Sequence, residues 1–192
     1  MISNKKGQSE FSEYVITLLI STIVIMAVYL LLLSIYNIQL RGMIYDELKQ
    51  LEIQTLDSII KLYNTGSGYH NIENNTAILI GTVNLNYPPN VAKRSYKITL
   101  LSPNTIYSIV NNTENITSQV FSGAKIIGTT ENPFVEVIID VPNIDAVLQG
   151  SVSNGLNPIL SFYKANFNGN IVNIITLGNS SLLATLTRIS WQ

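Results

Sequence analysis

From Tyr14 to Ile35 the chain carries no charged residue; the nearest charges are Glu13 on one side and Arg41 on the other. The stretch reads YVITLLISTIVIMAVYLLLLSI and contains neither Gly nor Pro. As a helix it spans about 33 Å, enough to cross a hydrocarbon core of about 30 Å. It is rich in β-branched residues, but in lipid a single segment satisfies its own backbone only as a helix. The competing reading is a buried core helix. Globular helices of this length normally keep a polar face, and this one has none. The segment therefore reads as a membrane span, and the rest of the chain must be assigned to one side or the other.

Met1–Glu13 precede the span, and Lys5 and Lys6 are their basic residues. Positive charge on a short flank favours the cytoplasmic side, which sends the remaining chain outside. No small-residue cleavage site follows the apolar run, which continues through Tyr36, Asn37 and Ile38. A removable secretory signal needs a shorter core and such a site, so it fits poorly.

After Asn37 the pattern becomes amphipathic. Leu40, Ile44, Leu48, Leu51, Thr55, Ile59 and Leu62 recur at helical spacing, with Glu47, Lys49, Gln50, Gln54, Asp57 and Lys61 between them. The mean period is about 3.67, close to that of a straight helix. Ile53, Leu56, Ile60 and Tyr63 widen the stripe. Asn64-Thr65-Gly66-Ser67-Gly68 is a stop signal. The spacing thus predicts one helix from about Phe11 to Tyr63, about 80 Å long.

Beyond Gly66 short runs of Ile, Val, Thr, Tyr and Phe alternate with Asn, Gly, Pro and Ser. These predict strands at Ala77–Leu85, Ser95–Leu101, Thr105–Val110, Ser118–Ile127, Phe134–Val141, Ala146–Val152, Ile159–Ala165, Ile171–Leu177 and Leu182–Trp191. Turn signals stand at Tyr87-Pro88-Pro89-Asn90, Asn154-Gly155 and Gly178-Asn179, and Asn168-Gly169 is a two-residue hairpin signal. The expected class is α+β: a long helix, then an antiparallel β-sandwich head with the amphipathic half of the helix packed on it.

Composition removes several functions. Lys+Arg total 11 against Asp+Glu 12, so no basic field attracts nucleic acid. There is no Cys and a single His, which excludes disulfides, thiolate ligands, a cysteine nucleophile and any site needing two imidazoles. No G-x-S-x-G, P-loop or H-E-x-x-H occurs. His70 falls in the junction after the helix, where a lone His is usually a surface residue. Asp140 and Asp145 flank Val141-Pro142-Asn143-Ile144; with Asn143 they are a conceivable cation site, but carboxylates at a strand end are usually solvated. Tyr87, Tyr96, Tyr107 and Tyr163 alternate within or beside strands and read as core-edge packing. Neither a catalytic set, a metal nor a cofactor is expected.

The sharpest motif stands before the span. Lys5-Lys6-Gly7-Gln8-Ser9-Glu10-Phe11-Ser12-Glu13-Tyr14 leads directly into the apolar run. Lysines, a glycine, polar and acidic residues and then a long apolar helix resemble the class III signal peptide of archaeal type IV pilins and archaellins. The strict resemblance covers about residues 1–38; the helix-then-β-head plan extends it over the chain. It implies that a membrane prepilin peptidase cuts between Gly7 and Gln8, making residues 1–7 a leader, 8–65 the helix and 66–192 the extracellular head. Loss of Lys5 and Lys6 would free the helix to leave the bilayer and join copies of itself in a helical filament. Many members place a glutamate where this chain has Ser12. Here Glu10 and Glu13 stand nearby, and either can neutralise the new Gln8 amine of its own or an adjacent subunit. First-turn acids favoured by the helix dipole explain the same two residues more simply.

With the head outside the cell, N-x-[ST] sequons become usable: Asn74, Asn111, Asn115 and Asn179. An ordinary turn asparagine is the simpler account of each. The expected role is a structural subunit of a surface filament in adhesion or cell–cell contact. Its precursor sits in the cytoplasmic membrane and is handled by the pilus assembly machinery; S-layer or surface glycans are candidate contacts. The alternative is a membrane-anchored β-sandwich scaffold or binding protein, archaellum-associated or S-layer-binding, that does not polymerise in bulk.

Charged residues make up only 12% of the chain, against about 25% in typical domains. From Gly66 onward there are six basic and six acidic residues, so the head surface must be built from Asn, Ser, Thr and Tyr. Such a surface barely titrates and suits an acidic exterior. Unfolding followed from pH 2 to 7 is expected to vary little, without a steep loss below pH 4.

Overall fold

The computed structural model describes residues 4–66, 68, 72–74, 76–110, 116–142, 144–154, 157–167 and 169–178. A single helix, α1 (Asn4–Gly66), is followed by nine strands, giving an α+β protein with a β head among these residues. The chain divides into two compact units, Met1–Gly42 and Met43–Gln192.

In the first unit α1 is uncharged and apolar all round from Tyr14 to Ile35. All described side chains from Glu10 to Gln39 are exposed, and the segment has the length and hydropathy to cross a membrane. Its hydroxyl groups turn back on the helix. Thr17 Oγ1 donates to the Glu13 carbonyl, Ser21 Oγ to Thr17 and Thr22 Oγ1 to Leu18, each at 2.8 Å. These bonds satisfy polar atoms that lipid would leave bare.

The second unit takes the other half of α1 as its core. Ile44, Leu48, Leu51, Thr55, Ile59 and Leu62 are buried, as their spacing requires, and Leu40 in the first unit is half-buried. Lys49, Gln50, Gln54, Asp57 and Lys61 are exposed. Of the widening set, Leu56, Ile60 and Tyr63 are half-buried and Ile53 is exposed. The helix ends at Gly66, inside the stop signal.

The strands are β1 (Thr76–Asn84), β2 (Tyr96–Leu101), β3 (Ile106–Val110), β4 (Ile116–Val120), β5 (Lys125–Glu131), β6 (Phe134–Asp140), β7 (Val147–Ser153), β8 (Ile159–Phe167) and β9 (Asn170–Gly178). Seven form one sheet in the order β1-β8-β9-β7-β2-β5-β6, while β3 and β4 pair separately. Two rows of residues on this sheet meet the helix. Val152, Ile98, Gly128 and Val137 lie opposite one another across β7, β2, β5 and β6, all buried. Gly128 stands in van der Waals reach of Leu48 and Glu52. In the second row Gly81, Phe162 and Ile175 align across β1, β8 and β9, with Leu62 against Gly81 and the Tyr63 ring 6.0 Å from that of Phe162. The other face of the sheet has its own cluster of Tyr163, Ala165 and Ile174, with Val147 and Val172 against it.

Two features differ from the sequence expectation. The run Ser118–Ile127 is not one strand: β4 ends at Val120 and β5 begins at Lys125, because Ser122-Gly123 breaks the chain between them. The sheet is not wholly antiparallel. β8 and β9 do form the expected hairpin, with Phe167 opposite Asn170, and β9 returns between β8 and β7. Inserted there, it must run parallel to β7. The expected strand Leu182–Trp191 lies outside the described residues.

The parallel contact demands a glycine. Gly150 on β7 has φ +105, and a Cβ there would drive into the Leu177 carbonyl of β9. A side chain is excluded twice, by backbone conformation and by space. Gly150→Ala should cost about 3 kcal/mol, lowering the Tm of the full chain in detergent by roughly 10 °C. An unchanged Tm would mean that β7 and β9 can separate without loss.

Candidate functional site

The motif residues Lys5, Lys6, Gly7 and Gln8 lie within the backbone of α1, and their side chains fall outside the described residues. Glu10 and Glu13 follow on the same helix, exposed and about one turn apart. The leader junction, the two acids and the uncharged span are therefore consecutive on one helix. No loop separates the charged start from the apolar run.

Among the sequons, Asn74 stands on an exposed turn before β1. Its Oδ1 accepts from the Gly169 backbone N–H at 3.2 Å, tying this turn to the β8–β9 hairpin. The Thr76 hydroxyl donates to the Glu73 carbonyl at 2.6 Å. Asn111, Asn115 and Asn179 lie outside the described residues, as do His70 and Asn143. Of the two carboxylates suggested as a cation site, Asp140 is engaged by a cationic side chain. Asp140 forms an ion pair with Lys125 across β5 and β6. Asp145 instead offers its backbone carbonyl to Asn173 Nδ2 at 2.9 Å. Among the described residues no group of three His, Asp or Glu is placed to hold a metal ion.

The tyrosines follow the packing reading. Tyr87, Tyr96 and Tyr163 are buried, and the Tyr87 and Tyr96 rings meet at 6.3 Å and 59°; the Tyr107 side chain lies outside the described residues. The Tyr96 hydroxyl donates to the Pro88 carbonyl at 2.7 Å. The Tyr87 hydroxyl pairs with Thr55 Oγ1 on α1, and Thr55 Oγ1 also bonds the Leu51 carbonyl at 2.7 Å. Glu47 Oε2 accepts from the Ala92 N–H at 2.7 Å, a second polar pin between α1 and the segment after β1. Burial raises the Tyr87 phenol further above its usual range, so it remains protonated and neutral at any working pH.

One residue was not anticipated from the sequence. Glu52 is fully buried on the helix stripe, and neither carboxyl oxygen makes a hydrogen bond. Its carboxyl is pushed up to about 8, first by burial and then by the nearby Glu136 charge; the approach of the Gly128 backbone opposes this. Glu136 on β6 is raised as well, by its own burial, and its Oε1 is also without a partner. The signal for Glu52 was present. Leu48, Glu52, Thr55 and Ile59 step at 4, 3 and 4, as regular a helix face as one drawn through Leu51.

No family model, curated protein or solved structure matches this chain.

Tyr87→Phe tests the polar pin. The Thr55 hydroxyl keeps its bond to the Leu51 carbonyl, so the loss should be about 1 kcal/mol in urea unfolding of the full chain. A loss above about 3 kcal/mol would show that the Thr55–Tyr87 pair organises more of the head than its own contact.

Proposed function

We propose that this chain is the structural subunit of a type IV pilin-like surface filament. One observation carries the reading: the Lys5-Lys6-Gly7-Gln8 junction leads without interruption into a helix exposed and apolar on all sides, followed by a β head. The precursor sits in the membrane with its lysines inside and its head outside. Cleavage after Gly7 removes Lys5 and Lys6, the charges that hold the helix end at the cytoplasmic face. The new Gln8 amine then enters an apolar bundle, where Glu10 or Glu13 of the same or a neighbouring subunit neutralises it.

The energetics divide in two. Lipid is as apolar as a helix bundle, so moving the span from one to the other gains little hydrophobic free energy. Assembly machinery must supply that work. Outside the bilayer the same helix faces water, and burial at about 25 cal/mol per Å² holds the bundle together. The heads form the sheath, with Asn74 a glycan site on its surface. The subunit itself performs no chemistry.

The amphipathic half of α1 does not weigh towards polymerisation, because Ile44 to Leu62 are spent on the chain's own head. This leaves the membrane-anchored scaffold as the second reading, in which the span stays in lipid for good. Mass spectrometry of sheared surface material separates the two. Filaments whose subunits begin at Gln8 are expected, and Gly7→Leu should leave uncut precursor in the membrane and no filaments. An intact Met1 terminus confined to membranes would overturn the filament.

A further inference from the structure

Glu52 has a setting that neither the helix nor the filament reading explains. It lies on α1 between Leu48 and Thr55, and all three are fully buried. Facing it is Gly128 of β5, where a Cβ would stand 2.8 Å from Glu52 Oε1 and 3.2 Å from Ile98 Cδ1. The glycine thus makes the space that the carboxyl occupies. The ionisable group acting on it is Glu136 from β6; Glu52 in turn acts on Tyr87 from the segment after β1, whose ring stands tilted against that of Tyr96 of β2. No basic side chain acts on Glu52 among the described residues. A carboxylate here has no cation and only the Gly128 backbone beside it to offset its burial, which is expensive; a protonated carboxyl avoids most of that cost.

We propose that Glu52 is a proton-operated latch: while it holds its proton, Met43–Gly66 of α1 stays seated on β2 and β5, and loss of the proton loosens that seat. The head is therefore built to be tightest in acidic surroundings. The inference is independent of whether the chain polymerises. The displacement of the carboxyl from 4.5 to about 8 fixes the pH window. Below about 4.5 the group is neutral in both the seated and the open states, and the latch is fully closed. As pH rises the open state ionises first, and stability falls until the seated group ionises near 8. Across that window the opening equilibrium rises by up to about three-thousandfold.

Hydrogen exchange read by mass spectrometry on the full chain in detergent tests this. Peptides covering residues 43–66 are followed from pH 5 to pH 9, with rates corrected for intrinsic exchange. The wild-type opening equilibrium should rise at least about thirtyfold between pH 5 and 8. Glu52→Gln should abolish most of that rise. Glu52→Met, which keeps the volume and removes both polar atoms, should do the same if the glutamine variant fails to fold. Glu136→Gln should leave the onset of the rise unchanged but make it smaller and level it off at lower pH, because one charge repelling the seated carboxylate is gone. A wild-type response that is flat across this range, or a rise that persists in both Glu52 variants, would overturn the latch.

Discussion

The seat of α1 on the sheet is the contact on which the head depends. Ile44, Leu48, Leu51, Ile59 and Leu62 are buried there, each worth about 1.5–3 kcal/mol relative to exposure. Together they contribute about 10 kcal/mol, comparable to the whole net stability of an ordinary domain. Against this, one unpartnered carboxyl costs a few kcal/mol when ionised and less when neutral. Hydrophobic burial therefore wins, and Glu52 can be carried in the core without preventing folding. The sheet meets the helix with a row of small and branched side chains, Val152, Ile98, Gly128 and Val137, whose low point is the glycine beneath Glu52. The depth of that row decides how closely the helix can approach.

Much of this was legible in the sequence because it is periodic and local. The stripe from Ile44 to Leu62 is buried where its spacing says, and the helix ends inside the predicted stop signal. Strands rich in Ile, Val and Thr lie within a residue or two of their expected positions at β1, β2, β3, β6, β7, β8 and β9. What was not legible depends on contacts distant in sequence. The parallel β7–β9 pair follows from where a hairpin inserts, which no local pattern encodes. Gly150 is obligatory only because that pairing brings the Leu177 carbonyl against it. Ser122-Gly123 is a weak turn signal, overridden in the reading by apolar residues on both sides. At the N-terminus the motif residues were visible throughout, but an exposed helix adds no geometry to distinguish a processing site from a simple anchor.

Glu52 was missed for a different reason. A helical stripe is usually drawn through its apolar members, so a glutamate on the same face is assigned to the neighbouring polar side. Leu51 and Glu52 are both buried, which means that the covered arc is wider than a single row. In such an arc an acidic residue is a choice of chemistry, not of position. Leu or Met would fill the volume without an orphan carboxyl, so the carboxyl at this place ties the seat of the helix to proton concentration.

That link revises how the low charge of the head bears on pH. An uncharged surface of Asn, Ser, Thr and Tyr was expected to make stability flat from pH 2 to 7. Acid usually unfolds proteins by protonating carboxylates that are paired in the native state. Here the Lys125–Asp140 ion pair is on the surface, so its loss in acid costs little. Glu52 and Glu136 act in the opposite direction, since both bind protons more tightly when buried. Between about 4.5 and 8 stability should therefore slope upward towards acid instead of staying level. The few charges on the surface remove the usual acid limb, and the buried carboxyl sets the slope that remains. A head held in acidic surroundings would gain from both.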